Sequence, residues 1–248
     1  MKPFFSIIVV CKNSAKTIER TFKSLRNQTF RNFELIVLDG LSTDKTLSII
    51  KKNRDIINIF QSEKDKNIWD AINKGIKISS GKIIGVLNSD DVLYPRGLDI
   101  VYKYFQLKRL DYLMASVKKK RIYHGFHPKK IWYKFNIYPS HSVGFFLKRK
   151  IYFKLGLYDV NLKFCADYDL IFKLIKNNFK GSQTSKSEVV GKFYDGGASS
   201  RIGYLKTLFY ESKVRYKNNQ SIFLIFFLFL LNIANLILKK YILKNDSR

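Results

Sequence analysis

Apolar positions in the first hundred residues alternate between short continuous runs and sets that recur every three or four residues. The runs are rich in β-branched residues and predict strands buried on both faces at residues 4–10, 33–38, 57–61 and 83–87. Between the runs, Ile18, Phe22 and Leu25 recur at helical spacing, and a second such set covers Ile68–Ile78. Strand and helix therefore alternate, which predicts an α/β fold with a mostly parallel central sheet flanked by helices.

The second half of the chain is less regular. Its pattern predicts strands at residues 112–116, 143–147 and 188–194 and a helix at Ala166–Lys176. From Gly203 onward the pattern predicts helices, with an unbroken apolar run over residues 222–231. We therefore expect a domain over residues 1–200, with halves at 1–100 and 101–200, and an apolar helical extension over residues 201–248.

Acidic side chains follow the ends of the predicted strands, namely Asp39, Asp65, Asp90 and Asp91. In an open parallel sheet, ligands bind outside the carboxyl ends of the strands, so we expect these acids to line one crevice. Adjacent carboxylates repel one another unless a cation neutralises them, and Mg²⁺ or Mn²⁺ bridged to a diphosphate meets that need. The alternative for Asp90 and Asp91 is a turn whose aspartate caps the next helix.

The helix predicted at Ala166–Lys176 begins with two further acids, Asp167 and Asp169. An aspartate at a helix start is most often a cap. Two positions apart on a helix, the two side chains face different directions, so at most one of them points into a given site.

Five ordered segments of the first ninety residues resemble glycosyltransferase family 2. They are SIIVVCKN (6–13), SLRNQTF (24–30), FELIVLDGLSTDKT (33–46), SEKDKNIWDAINKGI (62–76) and GVLNSDD (85–91). Weaker matches continue at residues 142–159, 165–170 and 195–201. The resemblance implies a nucleotide-binding α/β fold of the A type and a sugar transfer reaction.

The resemblance also implies roles for individual residues of the first half. Asn13, Asp39, Asp65 and Asp90 are expected to bind the nucleotide-sugar, with Asp39 and Asp65 on the uracil and ribose side. Asp90, together with Asp91, resembles the metal motif of the family, usually written Asp-x-Asp. A divalent metal, Mg²⁺ or Mn²⁺, is therefore the expected cofactor.

In the second half, Asp167 resembles the catalytic base of the family, and Asp169 is the rival residue. A base in this place takes the proton of an acceptor hydroxyl. The sequence departs from the family at Asn88, where some members have the first acid of the metal motif. It also lacks the Gln-x-x-Arg-Trp motif of polymerising members, which favours a single addition over processive synthesis.

The resemblance implies an inverting, metal-dependent, hexosyltransferase-type glycosyltransferase. The expected partners are a nucleotide-sugar donor, with a UDP-sugar favoured, and a glycan or lipid-linked acceptor in cell-surface polysaccharide or lipid-linked glycan synthesis. The alternatives are a basic nucleic-acid-binding protein and an inactive membrane-bound scaffold of the same fold. We expect no nucleic-acid partner, because no nucleic-acid-binding motif is present and the acids gather where a phosphate backbone would be repelled. The sequence specifies no oligomeric state.

Net charge bears on the location of the protein. The formal charge is +27, and Lys239, Lys240 and Lys244 follow the apolar run directly. A helix that lies in the inner leaflet with its lysines on anionic head groups fits this pattern better than a full span, and packing on the domain or on a second copy is the alternative. No leader is evident at Met1 to Pro3, so we expect a peripheral or monotopic protein at the cytoplasmic face of the membrane.

Overall fold

The computed structural model describes residues 2–135, 141–194 and 203–245, with side chains up to residue 238. Its strands are β1 (Phe5–Cys11), β2 (Phe33–Asp39), β3 (Ile59–Ser62), β4 (Ile83–Asn88), β5 (Val92–Leu93), β6 (Tyr112–Met114), β7 (Ser116–Lys118), β8 (Ile122–Tyr123), β9 (Phe145–Lys148), β10 (Gly181–Gln183) and β11 (Val189–Lys192). Its α-helices are α1 (Ile18–Arg26), α2 (Thr46–Lys52), α3 (Ile68–Ile78), α4 (Gly97–Lys108), α5 (Arg149–Leu155), α6 (Ala166–Lys176), α7 (Tyr204–Lys217) and α8 (Ile222–Asn245). The matching segment at 195–201 and the domain boundary at residue 200 lie outside the described residues, so that boundary stays a prediction.

The central sheet has the order β10-β6-β9-β4-β1-β2-β3 among the described strands. Strand β1 pairs in parallel with both β2 and β4, and every residue of β1 is buried. Strand β9 is antiparallel to its neighbours β4 and β6. The predicted α/β fold with a mostly parallel sheet is confirmed.

Helices cover both faces of this sheet. Alternate residues of β1 point to opposite faces, so that Ile8 joins the apolar cluster beneath α3 and α6 while Ile7 joins the cluster beneath α1 and α4. A Cβ atom at Gly75 of α3 would lie 2.7 Å from Cγ2 of Ile8. The glycine therefore lets α3 pack directly on the central strand.

Several predicted element bounds shift in the structure. The strand predicted at 112–116 breaks at Ala115, whose amide donates to the carbonyl of Gly144 (2.7 Å). Before the break, β6 belongs to the central sheet. After it, β7 belongs to a smaller sheet of order β5-β11-β7-β8. The strands expected at 57–61, 143–147 and 188–194 are shorter or begin later, as β3, β9 and β11. Long-range pairing sets these ends, and local pattern does not encode it.

The last two helices form an antiparallel hairpin. The hydroxyl of Tyr204 at the start of α7 donates to Oδ1 of Asn232 in α8 (2.9 Å). Arg215 of α7 is wholly buried, and its guanidinium donates to the carbonyl of Ile131 (2.6 Å), to that of Lys134 and to the hydroxyl of Tyr168 (2.9 Å). The hairpin is thus fixed to α6 and to the segment before residue 136. Across the described ranges, no helix has both the length and the apolar content needed to cross a membrane.

Candidate active site

Four neighbouring parallel strands end at one edge of the central sheet. The register pairs Cys11 with Asp39, Asp39 with Ser62, and Val10 with Asn88. The loops after β1, β2, β3 and β4 therefore leave the sheet side by side, as the sequence predicts. The candidate residues Asn13, Asp39, Asp65, Asp90 and Asp91 all lie in or directly before these loops.

The loops after β1 and β2 are joined by hydrogen bonds. The amide of Asn13 donates to Oγ of Ser42 (2.8 Å), and Oδ1 of Asn13 accepts from the amide of Thr43 (2.8 Å). Asn13 has φ of +50°, a conformation that asparagine tolerates better than most residues. Asn13 therefore shapes this loop, and α1 begins only at Ile18.

Asp39 is buried beneath these loops. Its Oδ2 accepts from the amide of Ser42 (3.0 Å) and from Oγ of Ser62 (2.7 Å), and its Oδ1 accepts from Oγ of Ser42. Burial and the charge of Asp39 raise the pKa of the Cys11 thiol well above its usual range, which keeps the thiol protonated. Asp39 organises the end of β2, and its contact with a nucleotide stays a prediction.

Asp65 lies against the same loop and forms an ion pair with Lys74 of α3 (Oδ1 to Nζ, 2.8 Å). A Cβ atom at Gly40 would lie 3.2 Å from Oδ2 of Asp65, so a larger residue there would crowd the carboxylate. Lys74 also contacts Glu63 (3.3 Å) and Asp70 (3.6 Å), and these acids, Asp65 foremost, raise its pKa. Three carboxylates after β3 and at the start of α3 thus share the ammonium group of Lys74.

Asp90 and Asp91 are adjacent in sequence but differ in environment. Asp91 is 1% exposed, and its Oδ2 accepts from Nδ2 of Asn88 (3.1 Å) and lies 3.4 Å from Nδ1 of His141. Asp90 is half-buried, and its carboxylate makes no hydrogen bond or ion pair with another residue in the described part of the chain. Asp91 is therefore held inside the fold, whereas Asp90 is partly exposed.

Both carboxyl groups titrate above their ordinary range. Burial, followed by the charge of Asp90, raises the pKa of Asp91 to about 7, and burial raises that of Asp90. Burial and the charge of Lys119 lower the pKa of His141 to about 4, so the imidazole stacked on Phe193 (4.4 Å between ring centroids) is neutral at pH 7. The charge of Arg20 lowers both pKa values but does not offset the effect of burial.

The loop that carries these acids is fixed from the other side by α1. Arg20 donates to the carbonyl of Asp90 through Nε (3.1 Å) and Nη2 (2.6 Å), and its guanidinium lies 3.8 Å from the ring centroid of Tyr194. The hydroxyls of Ser14 and Ser89 are 2.8 Å apart, which joins the β1 loop to the β4 loop. The backbone around Asp90 is thus held in place.

A divalent metal fits this loop as a partner of the substrate. The described residues contain no group of three or more His, Cys, Asp or Glu side chains placed to hold an ion by themselves. Mg²⁺ commonly binds through one or two carboxylates together with substrate phosphates and waters, and Asp90 offers such a carboxylate with a raised pKa. The donor set therefore suits a metal that arrives with a diphosphate.

Asp167 and Asp169 show a second contrast between neighbouring acids. Asp169 is 1% exposed, accepts from Nδ2 of Asn218 (2.7 Å) through Oδ1 and lies 2.6 Å from Nζ of Lys173 through Oδ2. Asp167 is half-buried, and its Oδ1 accepts from the amide of Tyr168 (2.9 Å). Asp169 fastens α6 to the end of α7, so Asp167 is the acid of this segment that reaches the surface.

Helix α3 connects the two halves of the candidate site. Nδ2 of Asn73 donates to the carbonyl of Tyr158 (2.8 Å), and Oδ1 of Asn73 accepts from the amide of Tyr158 (3.0 Å). Trp69 stacks on Tyr158 (5.0 Å between centroids), and its Nε1 donates to the carbonyl of Lys163 (3.1 Å). The segment that leads to Asp167 therefore rests on the helix whose Lys74 binds Asp65. The motif WDAINKGI contains these residues, but its spacing alone indicates an ordinary helix.

Glu211 is a candidate site residue that the sequence does not reveal. It is half-buried on α7, where burial and the charge of Asp167 raise its pKa to about 7 against the opposing effect of Arg215. Glu211 lies far from Asp167 in sequence, in a helix without a recognised motif. Only the packing of α7 on α6 brings the two carboxyl groups near each other.

Comparisons with known sequences agree on one family. The profile described as Glycosyl transferase family 2 matches residues 6–164. An uncharacterised glycosyltransferase of Methanocaldococcus jannaschii is 31% identical over 200 residues, which cover 72% of this chain and 67% of that protein.

Solved structures agree on the fold. TarS residues 1–349 from S. aureus, in complex with UDP-GlcNAc, has a TM-score of 0.67 at 18% identity, with 89% of this chain and 68% of that chain covered. The mannosyltransferase PcManGT from Pyrobaculum calidifontis, in complex with GDP-Man and Mn²⁺, has a TM-score of 0.66 at 16% identity, with 92% and 68% covered. Because the family profile spans well over half of the chain and the sheet has the A-type arrangement of these transferases, the chain belongs to glycosyl transferase family 2 and is a glycosyltransferase.

Proposed function

We propose that this glycosyltransferase is an inverting enzyme in which Asp90 meets a metal-bound donor diphosphate and Asp167 takes the acceptor proton. One observation carries the proposal. In each of two acidic motifs, one carboxylate is buried, Asp91 or Asp169, and its neighbour is half-buried, Asp90 or Asp167. This arrangement is expected where the half-buried carboxylate takes part in the reaction and the buried carboxylate fixes the backbone beside it.

The donor side is proposed to lie between the β2 and β4 loops. A divalent Mg²⁺ or Mn²⁺, when bound, would neutralise the diphosphate and stabilise it as a leaving group. Asp90 would hold that ion, and Asp91 would keep the loop in shape through Asn88 and the backbone. Asp39 and Asp65 would face the uracil and ribose of a UDP-sugar. The complexes of TarS with UDP-GlcNAc and of PcManGT with GDP-Man and Mn²⁺ support a nucleotide-sugar and a divalent metal.

The acceptor side is proposed to lie between α6 and α7. Asp167 would accept the proton from the acceptor hydroxyl as its oxygen attacks the anomeric carbon, and the bond to the diphosphate would break on the opposite face, which inverts the configuration. Glu211, near Asp167, would contact a second polar group of the acceptor. The acceptor is proposed to be a glycan or lipid-linked glycan of the cell surface, extended by a single sugar.

Paired conservative variants test the two assignments. Asp167→Asn is expected to lower turnover at least about a hundredfold with donor affinity near that of the parent, because loss of a general base typically costs about 10²- to 10⁴-fold. Asp90→Asn is expected to weaken binding of the metal-bound donor and to leave binding of the metal-free nucleotide nearly unchanged. Calorimetric titration with UDP-GlcNAc and Mn²⁺, beside a turnover assay, measures both effects.

The buried neighbours serve as matched controls. Asp169→Asn can still accept from Asn218, so it is expected to change stability more than turnover. Full turnover in Asp167→Asn together with collapse in Asp169→Asn would move the base to Asp169. Full turnover in EDTA would refute the metal. Tight binding of RNA or DNA without any nucleotide-sugar binding would refute the donor site as a whole.

A further inference from the structure

Helix α8 is apolar around its whole circumference between Ile222 and Leu231. One side packs on the protein, where Ile225 and Leu228 are buried and Leu228 joins a small cluster with Leu208 and Phe135. A helix that is apolar on all sides is ordinarily enclosed, either by protein or by lipid. Here, the protein encloses half of it.

The opposite side of α8 is exposed along its described length. Its apolar residues lie three or four positions apart and form one face: Phe223, Phe226, Phe227, Leu230, Leu231, Ile237 and Leu238. Phe223, at 84% exposed, is nearly as open as a side chain can be. A further set on α7 is also exposed: Tyr204, Leu205, Phe209 and Tyr216. We call these two sets together the apolar platform.

Lysines border the apolar platform. The ammonium group of Lys213 lies 4.6 Å from the ring centroid of Phe209, which belongs to the platform. Lys206 adjoins Leu205 of the platform in α7, and its ammonium group lies 5.7 Å from the ring centroid of Phe164 outside it. Residues 203–248 contain eight Lys or Arg and two Asp or Glu residues. Aromatic rings with ammonium groups beside them are typical of surfaces at the boundary between hydrocarbon and head groups.

We infer that the apolar platform docks on an anionic lipid bilayer, with α8 lying in the plane of the interface. The packed side of α8 stays on the protein, the exposed side enters the acyl region, and the bordering lysines bind anionic head groups. A second copy is the less suitable occupant, because it would bring two basic surfaces of a chain with net charge +27 together. The location at the cytoplasmic face of a cell membrane remains a prediction of the sequence.

The inference does not rest on the proposed reaction. Docking uses residues of α8 and the exposed side of α7, whereas the donor site uses the loops at the edge of the sheet. Donor binding in solution and vesicle binding can therefore be measured separately on the same protein.

Co-sedimentation of the full chain with vesicles tests the inference. The probes are vesicles of phosphatidylcholine alone and of phosphatidylcholine with about one third phosphatidylglycerol, at low and high salt. We expect binding to the anionic vesicles, weakened but not abolished by salt, because burial of the apolar face is not screened. The double variant Phe223→Asp with Phe227→Asp should lower the partition coefficient at least about tenfold.

Matched variants keep the result interpretable. Leu107→Asp with Phe153→Asp makes the same charge change at exposed apolar residues of α4 and α5, and it should bind vesicles like the parent. Lys206→Gln with Lys213→Gln should reduce binding to anionic vesicles and lessen its salt dependence. An equal loss of vesicle binding in both pairs of aspartate variants would overturn the inference. So would a parent protein that forms a stable dimer, does not bind vesicles, and dissociates only when Phe223 and Phe227 are replaced.

Discussion

Replacing Asn73 by alanine perturbs the link between α3 and the segment that carries the proposed base. The amide of Asn73 satisfies both the carbonyl and the amide of Tyr158, and both residues are buried. The variant leaves these two backbone groups without partners, and each unsatisfied buried group costs about 1–3 kcal/mol. We therefore expect the free energy of unfolding to fall by about 2–4 kcal/mol, since a water molecule can enter and recover part of the loss.

Urea unfolding followed by circular dichroism measures that change, with a slope that should stay that of the parent. Asn161→Ala is the control, because this exposed residue lies in the same segment and should change stability by less than about 0.5 kcal/mol. Turnover of the folded Asn73→Ala variant should fall while donor affinity holds, because the base moves and the nucleotide site does not. Equal losses of turnover and donor affinity, or a stability within about 0.5 kcal/mol of the parent, would refute this role of Asn73.

Substitutions at three further charged residues give additional tests. Burial raises the pKa of Asp91 to about 7, so the free energy of unfolding of the parent should fall as pH rises from about 4 to 7. Asp91→Asn should be more stable than the parent by about 1–3 kcal/mol at pH 8 and equal to it near pH 3. Urea unfolding in EDTA at each pH measures both free energies. Glu211→Gln should raise the KM for acceptor with donor affinity unchanged, and an unchanged KM in steady-state assays would remove Glu211 from the acceptor site. Arg215→Met should lower the free energy of unfolding, measured by thermal unfolding, by about 3–5 kcal/mol, because several buried acceptors lose their donor. Arg215→Lys should recover only part of this loss.

The first half of the fold follows closely from the sequence. Strand β1 is a continuous apolar run and helix α3 has a helical period, and their observed bounds agree with the predicted ones to within one residue. The second half follows less closely, because β6 and β9 are short and their ends depend on pairing with distant strands. The break at Ala115 is one result, since it depends on a hydrogen bond to Gly144.

The candidate site divides in the same way. The sequence places Asp90 and Asp91 at a strand end, but it cannot tell which carboxylate faces inward, because Asn88 and His141 settle that only after folding. Asp167 and Asp169 likewise differ through Asn218, a partner on another element of the fold. The local sequence pattern identifies the acidic motifs, and tertiary contacts determine which carboxylate of each motif is buried.

The packing of residues 158–163 on α3 limits which chimeric proteins can be made from this enzyme and its relatives. A hybrid joined near residue 100 would take α3 from one parent and the segment before Asp167 from the other. Asn73, Trp69 and Asn67 would then meet foreign backbone at Tyr158, Lys163 and Val160. A hybrid that takes its second half from another parent therefore also needs α3 from that parent, so that the exchanged part is discontinuous in sequence.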